Sequence, residues 1–80
     1  MKLYFEHSDG RLTEIGQCEN SIEDADKKIN EYIKKNFPHF KVYYTRCWEK
    51  DGFTYFDVGS WTEFFIMAPD DKAPKGFIHN

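Results

Sequence analysis

Four side chains could ligate a metal ion or act as nucleophiles: Cys18, Cys47, His7 and His39. No two of them have the short spacing of zinc sites, so three or four ligands would have to converge at about 2.0–2.3 Å through tertiary structure alone. Cys47 as a nucleophile would need a neighbouring base, and Arg46 points to the opposite face of a strand. We predict no metal, no cofactor and no catalytic residue. A reducing cytosol would keep both cysteines as thiols unless the fold brings them together.

Asp57 and Glu63, on either side of the Gly59-Ser60 pair, are candidates for acid–base catalysis. If Gly59-Ser60 forms a two-residue type II′ turn, the two acids occupy opposite faces of a hairpin and cannot share a proton. The five glycines form no cluster before a helix, so the sequence contains no phosphate-binding loop of that type. These patterns predict a protein that is not an enzyme.

Aromatic residues are concentrated in one part of the chain. Eleven of the fifteen lie between Phe37 and Phe65, in segments that otherwise read as β-strands. One helix cannot bury both faces of such a sheet, so one aromatic face should meet a partner, either another protein or a second copy of the chain. Interfaces are enriched in Trp, Tyr and Arg. We predict an interface formed by six side chains: Trp48, Trp61, Tyr43, Tyr55, Phe53 and Arg46.

An uneven charge distribution makes nucleic acid an alternative partner. Residues 1–26 contain two basic and seven acidic residues, residues 27–50 seven basic and two acidic, and residues 51–80 two basic and five acidic. The basic segment overlaps the aromatic one, as in platforms that stack the bases of single-stranded nucleic acids. The net charge of −3 makes nucleic acid the less favoured alternative to a protein partner.

A hairpin is predicted around Asp9-Gly10, a strong turn signal between two strand-forming segments. A two-residue loop would place Tyr4 opposite Ile15. A three-residue loop, with Gly10 in the left-handed conformation, instead gathers one mainly apolar face from Leu3, Phe5, Thr13 and Ile15. We prefer the longer loop because it produces this face.

A helix is predicted over residues 22–37, because apolar residues recur every three or four positions from Ile22. Ser21 with Asp24 resembles a capping box, and Asn20 with Glu23 is the alternative frame. Pro38 ends the helix at or just before residue 37.

Three strands are predicted after the helix, over residues 40–49, 53–58 and 61–68. Residues 64–67 are apolar on both alternating faces, which is typical of a strand covered on both sides. Either this strand is central in the sheet or a partner covers it. The whole pattern predicts an α+β domain over residues 1–68. It has two layers of order ββαβββ, an antiparallel sheet with the helix on one face. A loosely ordered tail follows over residues 69–80.

Three segments resemble small uncharacterised proteins of phages and prophages of Gram-positive bacteria: KLYFEHSDG (2–10), YYTRCW (43–48) and DVGSWTEFF (57–65). The resemblance covers most of residues 1–67 and rests on hairpin signatures. It implies an accessory protein that binds a host or phage protein in the bacterial cytoplasm, with inhibition of a host defence or regulatory system as the expected role. It implies no site residues. No apolar run of about 18 residues predicts a membrane span, and the first residues do not read as a secretory leader.

Overall fold

The computed structural model of the chain describes residues 1–74. These residues form β1 (Lys2–Glu6), β2 (Leu12–Gln17), α1 (Ile22–Asn36), β3 (Arg46–Lys50), β4 (Phe53–Asp57) and β5 (Phe64–Ala68). The strands form one antiparallel sheet in the spatial order β2-β1-β5-β4-β3. The predicted α+β class and the ββαβββ order are confirmed. Within the described residues, no helix has the length and apolarity needed to cross a membrane.

The β1–β2 hairpin has the three-residue loop that the sequence favours. The N–H of His7 donates to the carbonyl of Arg11 at 2.8 Å, which closes a loop of residues 8–10. Gly10 has a φ of 91°, a conformation open to glycine because it has no Cβ. The predicted apolar face is confirmed, since Leu3, Phe5 and Ile15 join the same core cluster.

Helix α1 is capped in the first of the two predicted frames. The Ser21 hydroxyl accepts a hydrogen bond from the Asp24 N–H at 3.2 Å, which satisfies one of the free donors of the first turn. The Asp24 carboxylate accepts from the N–H of Glu19 at 2.8 Å, two residues before the position that a capping box uses. The fully buried face of the helix consists of Ala25, Ile29 and Ile33.

The sheet carries a buried apolar cluster on each face. Beside residues of α1, the first cluster contains strand residues Leu3, Phe5, Phe56, Phe65 and Met67. The second cluster, on the opposite face, contains Phe53, Tyr55, Ile66 and Ala68, with Tyr4 and Leu12 packed against it. Strand β5 is the central strand, which is the first of the two alternatives that its apolar pattern left open, and it contributes to both clusters.

The strand predicted over residues 40–49 is wrong in its first half. Residues 40–45 have no regular secondary structure, and β3 begins at Arg46. Arg46 pairs with Asp57, the last residue of β4, so residues before Arg46 would need partners beyond the end of that strand. Val42 packs against the first cluster, whereas Trp48 contacts Tyr55 of the second. Two-residue alternation along a strand over residues 40–49 predicts Val42, Tyr44 and Trp48 on one face, and for Val42 and Trp48 this prediction is wrong.

The two-residue turn predicted at Gly59-Ser60 is also wrong. Phe56 pairs with Phe65 rather than with Glu63, so the register is shifted by two positions and β5 begins at Phe64 instead of residue 61. The carboxylate of Asp57 accepts a hydrogen bond from the Gly59 N–H at 2.8 Å. Such a local side-chain bond competes with strand pairing and starts a wider connection, which we call the 58–63 loop.

The first part of the predicted tail, residues 69–74, contacts the rest of the domain. Asp70 forms an ion pair with the amino terminus at 3.1 Å. The Lys72 ammonium donates to the Asp51 carbonyl at 2.7 Å and lies 4.9 Å from the centre of the Phe53 ring. The prediction of loose order for residues 75–80 lies outside the described residues.

Candidate binding site

Two of the six predicted interface residues belong to the core. Phe53 and Tyr55 are 7% and 2% exposed, because β4 is an inner strand and both rings lie in the second cluster. The other four are on the surface, where Trp61 is 96% and Tyr43 is 82% exposed. Trp48 and Arg46 are exposed to a smaller degree on the edge strand β3. The structure therefore moves the candidate site toward β3 and the 58–63 loop.

Trp48 lies at the boundary between the core and the surface. Its ring stacks on Tyr55, the residue opposite it on β4, with 5.6 Å between ring centres and 11° between ring planes. It also meets the edge of Phe64 at 6.1 Å. Such ring pairs contribute about 0.5–1.5 kcal/mol beyond the area that they bury. Trp48 thus covers one side of the second cluster and exposes its other side to solvent.

Two side-chain hydrogen bonds shape the 58–63 loop around Trp61. Before Trp61, the Gly59 N–H donates to the Asp57 carboxylate, and Gly59 has a φ of 101°. The second bond spans Trp61, since the Ser60 hydroxyl donates to the Glu63 carboxylate at 3.1 Å. Within this loop the Trp61 ring is almost fully exposed.

An open groove of about 490 Å³ lies between β3 and the 58–63 loop. Four of its eight lining residues are aromatic, Tyr44, Trp48, Trp61 and Phe64, and we call it the aromatic groove. Arg46, Asp57, Gly59 and Ser60 complete the lining, and the Arg46 guanidinium lies 5.5 Å from the centre of the Tyr44 ring. The groove therefore combines aromatic rings with a charged pair and other polar groups.

The charged pair of the groove is internally neutralised. The Arg46 guanidinium donates to the Asp57 carboxylate at 2.7 Å, and the Asp57 side chain is only 9% exposed. Burial alone would raise the pKa of Asp57, but hydrogen bonds from Arg46 and Gly59 outweigh burial and lower that pKa. Asp57 is consequently ionised at neutral pH, and Arg46 contributes little net positive charge to the groove.

Tyr44 and Phe64 belong to the groove but were not among the six predicted residues. The sequence contained a signal for Tyr44, because two-residue alternation places it on the same face as Trp48. Phe64 carried no such signal, since its place beside Trp48 depends on β4 lying between β3 and β5.

The residues considered for catalysis or metal binding do not converge. Cys18 and Cys47 are both free thiols, and burial raises the pKa of Cys18. Asp57 lines the aromatic groove and Glu63 lines a pocket beside the end of α1, so the two acids belong to different cavities. The two-residue turn from which their opposite faces were predicted does not form. Within residues 1–74, no group of three or more His, Cys, Asp or Glu side chains could hold a metal ion.

The geometry of the groove suits the docking of apolar or aromatic groups between its rings. Comparisons with known proteins identify no family for the chain, since no family model, no curated protein and no solved structure matches it.

Proposed function

We propose that the protein is a non-enzymatic binding protein and that its aromatic groove docks a protein partner, with Trp61 as the main anchor. The observation that carries the proposal is the 96% exposure of Trp61. Burying about 250 Å² of tryptophan surface at about 25 cal/mol per Å² would give roughly 6 kcal/mol before the costs of association. The isolated chain gains almost none of this burial free energy, whereas a complex that covers Trp61 could gain most of it.

The surroundings of Trp61 have the composition of an interaction surface. Tyr44 and Trp48 are 50% and 40% exposed on the same groove, so three large rings lie together at the surface. Patches of this kind on monomers commonly mark binding sites, and Trp, Tyr and Arg dominate measured interface energies. The neutralised Arg46–Asp57 pair would supply polar contacts without leaving an unpaired charge in the complex.

The resemblance to phage and prophage proteins indicates the kind of partner. We expect a host or phage protein in the cytoplasm of a bacterial cell, with inhibition of a host defence or regulatory system as the biological role. A second copy of the chain is the competing occupant of the groove, since a homodimer would also cover Trp61.

Site-specific photo-crosslinking tests the proposal. A photoreactive phenylalanine derivative would replace Trp61 in the full chain, expressed in a Gram-positive host. The matched control places the same group at Ile22, an apolar residue that is 49% exposed at the start of α1. We expect an adduct of discrete mass from position 61 that is absent from position 22. Excess unlabelled wild type should suppress it, and the variant Trp61→Ala should not.

Two results would count against the proposal. One is the same set of adducts from both positions, and the other is equal suppression by wild type and by Trp61→Ala. An adduct of twice the chain mass, together with a dimer in light scattering, would assign the groove to self-association instead of a host or phage protein.

Single-stranded nucleic acid is the second candidate partner. The exposed rings of Tyr44 and Trp61, which line the same groove as Arg46, are the observation in its favour, because bases stack on such rings. The ion pair of Arg46 with Asp57 weakens this candidate, since it leaves less charge for phosphates. Tryptophan quenching by an oligonucleotide that weakens steeply with added salt would favour nucleic acid. We expect no quenching.

A further inference from the structure

A second pocket lies between the end of α1 and the 58–63 loop. Its volume is about 80 Å³, and four of its walls are phenylalanine rings, Phe5, Phe37, Phe40 and Phe65. The Phe5 ring centre lies 5.1 Å from that of Phe65 and 5.5 Å from that of Phe37. We call this site the phenylalanine pocket. The faces of aromatic rings carry negative partial charge and attract cations that come within about 6 Å.

A carboxylate lies at the polar edge of the same pocket. Glu63 is half-buried there, and its Oε1 atom accepts a hydrogen bond from Ser60 at 3.1 Å. Among residues 1–74, no basic side chain forms an ion pair with Glu63. A carboxylate beside an apolar wall keeps more of its field than one in open solvent. The edge of the pocket is therefore electrostatically suited to a positive group.

The end of α1 contributes walls to the pocket, and the carbonyl groups of these wall residues are already hydrogen-bonded. Ile33 and Phe37, which line the pocket, lie in the last turn of α1 and at its C-cap. The Ile33 carbonyl accepts from the Phe37 N–H at 2.7 Å, and the Phe37 carbonyl accepts from the Phe40 N–H at 3.0 Å. The rings and the Glu63 carboxylate are therefore the two features of the pocket that favour a positive ligand.

The lining of the pocket indicates the group that it can hold. Its walls are mostly apolar, with the phenylalanine rings among them, and its carboxylate lies at the edge. A lysine side chain matches this arrangement, because its methylene groups can contact the rings while its compact ammonium reaches Glu63.

We propose that the phenylalanine pocket binds the ammonium end of a lysine side chain that belongs to the protein partner. Ser60 lines both this pocket and the aromatic groove, so one partner can span the two sites across the 58–63 loop. The identity of the lysine donor rests on the proposed function, but the preference of the pocket for an alkylammonium group does not.

The test uses a single amino acid as the probe. The full chain is titrated with blocked lysine, acetylated at one end and methylamidated at the other. A counterpart with a methyl group in place of the ammonium is the neutral control. Binding is followed through the NMR methyl signals of Ile33. We expect saturable shifts with blocked lysine and affinity for the neutral probe that is lower by about fivefold or more, the size of a partly exposed ion pair.

Two variants identify the group that recognises the charge. Glu63→Gln should lower the affinity for blocked lysine by about fivefold and leave the affinity for the neutral probe unchanged. Glu49→Gln removes an exposed carboxylate from β3 and should change neither affinity. Equal binding of the two probes, an unchanged affinity in Glu63→Gln, or the absence of saturable shifts at Ile33 would each overturn the proposal.

Trp61→Ala separates this inference from the proposed function, because Trp61 does not line the phenylalanine pocket. The variant should bind blocked lysine as well as wild type does. Specific crosslinking at position 61 without lysine binding would overturn the pocket proposal alone. Lysine binding without any specific crosslink would overturn the proposed function alone.

Discussion

Truncation to alanine should lower the stability of the domain at Trp48 and should abolish partner binding without a loss of stability at Trp61. Trp48 is 40% exposed, so it buries about 60% of a side chain of about 250 Å², or roughly 150 Å². At about 25 cal/mol per Å² this gives roughly 4 kcal/mol. Because the unfolded chain already buries part of that surface, about 3 kcal/mol is the expected loss for Trp48→Ala. Trp61, 96% exposed, buries only about 10 Å², so Trp61→Ala should cost about 0.3 kcal/mol.

Urea titration followed by far-UV circular dichroism measures both free energies of unfolding without depending on either indole. For a domain of this size, about 3 kcal/mol corresponds to a fall in Tm of roughly 12–24 °C, and thermal scans provide a second readout. In the crosslinking assay, Trp61→Ala should fail as a competitor although its stability is unchanged. The reasoning would be refuted if Trp61→Ala lost more than about 1 kcal/mol, or if the two variants were equally stable.

Three further predictions concern residues beside the groove. Tyr55→Phe removes a buried hydroxyl that has no hydrogen-bond partner among residues 1–74, and it should stabilise the domain by about 1 kcal/mol in urea titration. Tyr43→Phe, at an exposed ring, should change nothing, and a loss of stability in Tyr55→Phe would contradict the prediction. Because folding lowers the pKa of Asp57, its ionised form contributes stability above the unfolded pKa of about 3.9, and this contribution is lost as pH falls through the folded pKa. The Tm advantage of wild type over Asp57→Asn should accordingly be constant above about pH 5 and shrink below about pH 4, and an advantage that persists in strong acid would exclude this role. Gly59→Ala forces a side chain into a φ of 101° and should lower stability by about 1 kcal/mol or more in urea titration, and an unchanged midpoint would show that the loop relaxes without cost.

The elements that depend on neighbouring residues were predictable from the sequence. The first hairpin follows from Asp9-Gly10 and the demand for one apolar face, and the helix follows from the Ser21 cap and its regular apolar spacing. In each case the signal and the structure lie within a few residues of each other, so no distant contact was needed to read them.

The features that depend on strand order could not be read in the same way. Phe53 and Tyr55 are two residues apart and so lie on one face of β4, which we predicted to be exposed. Because β4 is an inner strand, both rings are buried. Residues 40–45 have a strand pattern but pair with no strand among residues 1–74. In the 58–63 loop the Asp57 carboxylate accepts a backbone hydrogen bond that competes with strand pairing, and a glycine-serine pair alone does not reveal that competition. The candidate site combines all three effects, which is why only part of it was predicted.

The central position of β5 affects how the protein must fold as it is synthesised. Lys2 pairs with Ala68, so contacts that complete the sheet join opposite ends of the described chain. During synthesis at about 5–20 residues per second, both hairpins and the helix emerge before β5 does. The edges of β1 and β4 that β5 later joins are then unpaired, and unpaired strand edges promote aggregation. Completion of the sheet therefore waits for β5, and we expect folding to be slow for so short a chain.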